Sequence, residues 1–375
     1  MTRLDELLAD PAARLLAEPL GILAAAEAMS AVAAGDALTL AGGPLAASRL
    51  RLHARVPGRP EIATAMTASA GEIAAWAARR ATDGDRRTTD LLARMTAARP
   101  GFAGLSPAAP GRPLIMGIVN VTPDSFHPGS RRHDTQAAIA HGLTLREAGA
   151  DLVDIGGEST RPGSTPPSIE AELDRVVPVV AALAAADIPV SVDTRRAPVM
   201  RAAVAAGARI VNDVEALAGD PDAAPEVASA GAAAILMHMR GEPATMQADT
   251  RYDDVLLDVA DFLAGRLDAA VAAGIPRQRL AVDPGIGFGK SPSGNARLMG
   301  AIGLLHGLGA AVVLGASRKS SLGALSRGEP VEARLPGSLA AALTAAAQGV
   351  QMVRVHDVAE TAQALAVWRR LAGFA

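Results

Sequence analysis

Pro113-Leu-Ile-Met-Gly-Ile-Val-Asn120-Val-Thr-Pro-Asp124-Ser-Phe126 reads as a buried strand running into a polar loop. The apolar run 114–119 is continuous rather than alternating, which suits a strand covered on both faces, as in a parallel sheet. Pro123 stops the strand. Thr122, Asp124 and Ser125 then offer oxygens just beyond its C-terminal end. Taken alone, the stretch is equally a core strand with an ordinary turn. Its recurrence along the chain decides the matter.

Further apolar runs follow at 151–156, 188–193, 208–213, 233–238, 279–284, 310–316 and 350–355, separated by helix-length segments such as 135–148, 169–185, 252–273 and 337–349. Eight strands with crossover helices over the stretch from 112 to 375 predict a (β/α)8 barrel, an α/β fold, with a doubly wound open sheet as the second choice. A barrel delivers every strand's C-terminal end to one face. The eight ends read Asn120; Asp154 with Gly156 to Gly163; Ser191 to Thr194; Asn212-Asp213; His238-Met239; Asp283 to Lys290; Ser317 to Ser320; and Arg354 to Asp357. A single strand-end Asp is often only a turn or a helix cap. Eight polar ends in succession point to a site.

The chain before residue 112 differs. Leu4 to Ala34 is Ala/Leu-rich with helical spacing, and residues 37–41 and 48–56 suggest a hairpin. In the second of these runs Leu50, Leu52, Ala54 and Val56 alternate with Arg49, Arg51, His53 and Arg55, so one face is apolar and the other basic. The basic face reads as solvated. Residues 61–99 read as one or two helices broken near Asp83-Gly84-Asp85, and 106–112 as a linker. Residues 1–111 are thus an N-terminal appended α+β region with no candidate site, expected to be dispensable for chemistry.

Of the 375 residues half are apolar and only 2% aromatic, so Ala, Leu and Val must build the core. A net charge of −3 gives no basic footprint for nucleic acid or a membrane surface. No cysteine is present, which excludes disulfides, thiolate metal sites and a cysteine nucleophile. The opening residues lack a signal-peptide apolar core, and charges break the Ala-rich runs, so a soluble cytoplasmic protein is expected.

The strand-end residues suggest two subsites. Asp193, Asp283 and the amide of Asn212 would converge on a polar planar ring, with Lys319 as donor on its carbonyl side. Arg354 and His356 lie two apart on one strand and leave the same face; with Asn120 and Arg161 they suit a polyanion. Gly285 to Gly289 lacks the Rossmann glycine spacing and the P-loop Gly-Lys-Ser/Thr. It reads instead as close backbone approach to a flat ligand, with Phe288 as a packing face. Gly157 to Ser164 suits a loop that closes over an anionic substrate.

These motifs, MGIVNVTPDSF (116–126), DIGGESTRPG (154–163), SVDT (191–194), VND (211–213), LMHM (236–239), DPGIGFGK (283–290), SRKS (317–320) and RVHD (354–357), resemble those of the dihydropteroate synthases of folate synthesis. The resemblance covers about 112–370. It implies a pterin-binding barrel in which the amine of 4-aminobenzoate displaces diphosphate from 6-hydroxymethyl-7,8-dihydropterin diphosphate. It places the pterin on Asp193, Asn212, Asp283 and Lys319, with Met239 and Phe288 lining the pocket. Diphosphate falls to Asn120, Thr160, Arg161, Arg354 and His356, and Mg²⁺ to Asn120. Aminobenzoate falls to Phe126, Arg161, Pro162, Lys319 and Ser320, with Asp124 stabilising a pterin cation. A homodimer is also implied. The run His127 to His133 departs from the family's usual short Ser/Asp/Gly segment. Two other readings compete: a pterin-dependent methyltransferase domain, which has no need of SRKS or RVHD, and a non-catalytic pterin-binding paralogue.

Overall fold

The Ala/Leu-rich stretch from Leu4 to Ala34 is not one helical run. In a computed structural model, which describes residues 2–99, 101–121, 131–159, 165–242 and 245–375, it divides into α1 (Thr2–Leu7), β1 (Arg14–Ala24) and α2 (Ala25–Ala34). Pro19 lies opposite Leu50 of the neighbouring strand. A helix interior disfavours proline, whereas an edge strand accepts it. β2 (Leu38–Thr39), β3 (Leu45–Val56) and β4 (Arg59–Ser69) complete an antiparallel sheet with β3 at its centre. β1 runs along one side of β3; β2 and then β4 run along the other. β4 also replaces expected helix. Only at Ser69, which forms a reciprocal capping pair with Glu72, does α3 (Ala70–Thr82) begin, and α4 (Arg87–Thr96) follows the expected break.

The alternation in β3 holds, with a different outcome for its basic face. Leu50, Leu52 and Ala54 share a core with Ile73, Trp76 and Leu91 of the two helices. On the opposite face His53 and Arg55 are only 8% and 9% exposed, so they are not solvated. Arg49 is exposed and Arg51 half-exposed, so only the His53–Arg55 end of that face lies against helices of the barrel wall.

From Leu114 onward the expected alternation is realised. β5 (Leu114–Asn120), α5 (Arg131–Glu147), β6 (Leu152–Gly156), α6 (Ile169–Ala185), β7 (Val190–Asp193), α7 (Ala197–Ala205), β8 (Ile210–Asp213), α8 (Ala223–Ala230) and β9 (Ala233–Met237) form the first part. α9 (Val255–Ala272), β10 (Leu280–Asp283), α10 (Pro292–Gly300), β11 (Ala311–Leu314), α11 (Ser320–Ala324), α12 (Leu335–Ala346), β12 (Met352–Val355) and α13 (Val358–Leu371) form the second. The eight strands β5 to β12 are parallel and close in chain order, with β12 pairing to β5. Arg55 spans Asp258 (2.6 Å) and Asp261 (Nε donating at 2.8 Å) of α9, and Glu18 accepts from Arg297 of α10 at 3.0 and 3.1 Å. These pairs fasten the sheet to the barrel wall.

Strand periodicity sorts the barrel into an inside and an outside. Ile115, Val153, Val192 and Val211 pack in the layer between strands and helices. Leu114, Met116, Leu152, Ile210 and Met352 fill the lumen. Phe102, 2% exposed, belongs to that inner cluster and seals the end where the strands begin. It sits on a turn in which Phe102 and Leu105 exchange backbone hydrogen bonds. Continuing each inward series by two or four residues gives Asn120, Asp154, Asp193, Asn212, Asp283 and Arg354. The lumen is therefore apolar below and polar at the top.

Candidate active site

Arg354 is the hub of that polar layer. It reaches across the lumen from β12, donating from Nε to Asp154 Oδ2 at 2.6 Å and from Nη2 to Asp193 Oδ2 at 2.8 Å. Asn212 donates from Nδ2 to the same Asp154 oxygen at 3.0 Å. Arg354 is thus tied to two carboxylates rather than standing clear as an anion clamp. Burial disfavours both carboxylates that face the ligand space. It pushes Asp193 up to about 7, outweighing Arg354, and the charges of Asp154 and Asp213 add to the rise. Asp283 is raised as well, chiefly by burial, with Lys319 opposing. One oxygen of Asp283 accepts from Gly285 N at 2.7 Å. The other would lie 3.3 Å from a methyl group on Gly315, beside the stem of Arg354.

Lys319 completes the ring. Its ammonium donates to Ile286 O and sits 4.6 Å above the Phe288 ring. Burial pulls its pKa down to about 8, Asp283 resisting and Arg354 reinforcing. Asn120 is close by: a Cβ on Gly156 would meet Asp193 Cβ at 3.6 Å and Asn120 Oδ1 at 3.8 Å. A side chain at 156 would crowd both. His356 leaves β12 two residues beyond Arg354. Ser317 Oγ lies 3.1 Å from its backbone N and 3.1 Å from its Nδ1. Burial, then the positive charge of Arg354, lowers the imidazole to about 4, so it is neutral near pH 7. Met239 and Phe288 are half-buried at the rim, and Ser320 is exposed as the first residue of α11.

The structure therefore assembles Asn120, Asp193, Asn212, Asp283, Lys319, Arg354 and His356 at one end of the barrel. Asp124, Phe126, Thr160, Arg161 and Pro162 lie outside the described residues, as do residues 127–130 of the unusual run. Two strand-end residues do other work. His238 faces outward, its ring 4.8 Å edge-on to Phe262. Asp213 accepts the backbone N–H groups of Glu215 and Leu217 and so shapes a turn.

Two residues given no role from sequence are central. Asp154 is fully buried. Lys290, 2% exposed, donates to the carbonyls of His238 (3.2 Å), Gly285 (2.8 Å) and Phe288 (2.9 Å), stitching two ligand-side loops together. For Asp154 the available signal was a charged residue inside an apolar run, since buried charges are paired. Among the described residues no cluster of three His, Asp or Glu side chains is arranged to hold a metal.

A family model described as "Pterin binding enzyme" matches residues 116–356. The chain is 43% identical over 256 residues to the dihydropteroate synthase of Escherichia coli K12, covering 68% of this chain and 90% of that protein. Against the Mycobacterium leprae enzyme the identity is 46% over 260 residues, covering 68% and 91%. Among solved structures, Xanthomonas albilineans dihydropteroate synthase with 4-aminobenzoic acid aligns with a TM-score of 0.66 at 50% identity, covering 70% of this chain and 94% of that one. The same enzyme in complex with 7,8-dihydropteroate gives 0.64 at 48%, with the same coverage. The chain belongs to the dihydropteroate synthase family of pterin-binding enzymes.

Proposed function

We propose that this protein condenses 6-hydroxymethyl-7,8-dihydropterin diphosphate with 4-aminobenzoate, giving 7,8-dihydropteroate and diphosphate. The observation that carries the reading is the polar layer itself. Asp193, Asn212 and Asp283 offer acceptor oxygens to a ring edge rich in N–H donors, and Lys319 stands opposite as a donor. Arg354 and His356 adjoin them on β12, where an anion attached to that ring would lie.

In the reaction the amine nitrogen bonds to the exocyclic methylene, the carbon–oxygen bond to diphosphate breaks, and the amine releases a proton. The leaving group takes the bonding electrons, so the protein must stabilise growing negative charge. Arg354 supplies a permanent cation. His356 supplies a hydrogen bond instead of charge: when Ser317 donates its hydroxyl proton to Nδ1, the ring N–H resides on Nε2. Asp124 is the carboxylate proposed to steady the pterin cation. Thr160 and Arg161 join the diphosphate, and Phe126, Arg161, Pro162, Lys319 and Ser320 form the aminobenzoate site.

Mg²⁺ fits this donor set only as a companion of the substrate. Asn120 provides one amide oxygen and, among the described residues, no cage of carboxylates surrounds it, which suits an ion that keeps waters and binds through phosphate oxygens. When bound it would supply further charge neutralisation to the diphosphate. We read the assembly as a homodimer, on the resemblance alone. We place it in the cytoplasm; among the described residues no helix is long and apolar enough to cross a membrane.

The test is single-turnover release of diphosphate from the pterin diphosphate on adding 4-aminobenzoate. Stoichiometric release with formation of dihydropteroate is expected. Tight pterin binding without release would identify a non-catalytic paralogue. Methyl transfer from a reduced methylpterin would identify the other alternative.

A further inference from the structure

We infer that Asp154 is a positioning residue of the pterin pocket: it dictates how Asn212 and Arg354 face the ligand while touching no ligand itself. This rests on the function proposed above. Asp154 is 0% exposed on β6, below the mouth. Its Oδ2 takes both Arg354 Nε (2.6 Å) and Asn212 Nδ2 (3.0 Å). A carboxylate only accepts, so Asn212 must turn its NH₂ group inward and leave Oδ1, an acceptor, for the ring. Without that neighbour the amide could turn over, since its oxygen and nitrogen are nearly the same in shape. A turned amide would set donor against donor at the pterin edge.

Arg354 is fixed by the same oxygen. Nε is held by Asp154 and Nη2 by Asp193 at 2.8 Å, so two contacts to two strands determine the guanidinium plane. Nη1 then remains without a partner among the described residues. The other oxygen of Asp154 is closed off from the ligand space, the residue being 0% exposed. Asp154 Oδ1 and Ser191 Oγ belong to register partners on β6 and β7, and both are buried and unpartnered among the described residues. A hydroxyl rotation or one bridging water would join them. Asp154 therefore acts on the substrate only through its neighbours.

The experiment compares wild type with Asp154→Asn, Asn212→Ala and the double variant, by calorimetric titration of pterin diphosphate and by steady-state kinetics. Asp154→Asn should weaken pterin diphosphate roughly ten- to a hundredfold, the span expected when buried polar groups are left mismatched. KM for 4-aminobenzoate at saturating pterin diphosphate should hold, a split that general unfolding would not give. In the Asn212→Ala background the same change should cost much less, because residues acting as a unit are not additive. Unchanged pterin affinity in Asp154→Asn, or an equal loss with and without Asn212, overturns the inference. A wild type that binds no pterin diphosphate overturns the functional reading along with it. Should Asp154→Asn fail to fold, wild-type NMR decides: the Asn212 side-chain NH₂ should resist exchange with and without ligand. Rapid exchange in the ligand-free protein overturns the proposal.

Discussion

Lys319 is asked to carry charge where burial discourages it. Its pKa is drawn down to about 8, while that of Asp193 is driven up to about 7. Pterin affinity should therefore be greatest between about pH 7 and 8. Below that window Asp193 gains a proton and ceases to be a pure acceptor; above it Lys319 loses the ammonium donor. Calorimetry across the window checks this: Asp193→Asn should remove the acid limb and Lys319→Met the alkaline limb, each at the cost of overall affinity. Stability follows the opposite sign at Lys319. A base whose folded pKa lies below the unfolded 10.5 binds fewer protons when folded, so its penalty is full below about 8 and is relieved as pH rises towards 10.5. Lys319→Met should accordingly raise Tm at pH 7, by an amount that shrinks on the alkaline side. Asp193, Asn212 and Asp283 were legible in sequence because period two places strand-end residues inward. Asp154 was not, because its role depends on Arg354, which reaches it from across the barrel.

Among elements, the barrel strands were legible and the N-terminal ones were not. Parallel strands buried on both faces announce themselves as apolar runs, whereas β1 is rich in Leu and β4 in Ala and Thr, and both owe their extended form to pairing with β3. Pro19 was the overlooked sign, since a helix interior disfavours proline, although α6 keeps Pro178 within it. The turn bearing Phe102 is equally silent in sequence, having no periodicity at all. It seals the end of the lumen remote from the ligand. Phe102→Ala should cost about 3–5 kcal/mol, as removal of a buried Phe generally does, with KM for both substrates unchanged; denaturant titration and kinetics check this. The docking pairs give a second prediction. For Arg55→Ala the figure of about 3–5 kcal/mol for breaking a buried pair is an upper limit, because Asp258 keeps 27% of its side chain exposed. Glu18 is held down to about 2, despite burial, by hydrogen bonds from His53 and Arg297 and by the nearby arginines. Its contribution is present above the unfolded 4.5 and disappears as pH falls towards 2, which acid titration of Glu18→Gln against wild type would reveal.

At the scale of the molecule, the division into residues 1–111 and 112–375 remains a proposal, and the expected dispensability of the first part has to be narrowed. Among the described residues, none of the N-terminal sheet stands in the polar layer. Yet Leu16 packs in the barrel's outer core, and Phe102 packs in its inner one. A chain beginning near Pro107 would leave both places empty and would strip the partners from Asp258, Asp261 and Arg297. Such a truncation is expected to be less stable and less soluble, while the folded fraction retains turnover; active-site titration alongside thermal unfolding separates the two quantities. Absence of turnover in a folded truncation would mean that the sheet helps complete the catalytic end. The docking also reaches the far end of the sequence. Phe374 is packed in the core of the N-terminal sheet, lies tilted against Trp368 at 5.9 Å between ring centres, and would sit 2.7 Å from a Cβ on Gly111. The N-terminal sheet, made before the barrel, therefore cannot finish its own interior until the entire barrel has been synthesised. During translation that sheet must wait, partly open, for a residue made after all eight barrel strands.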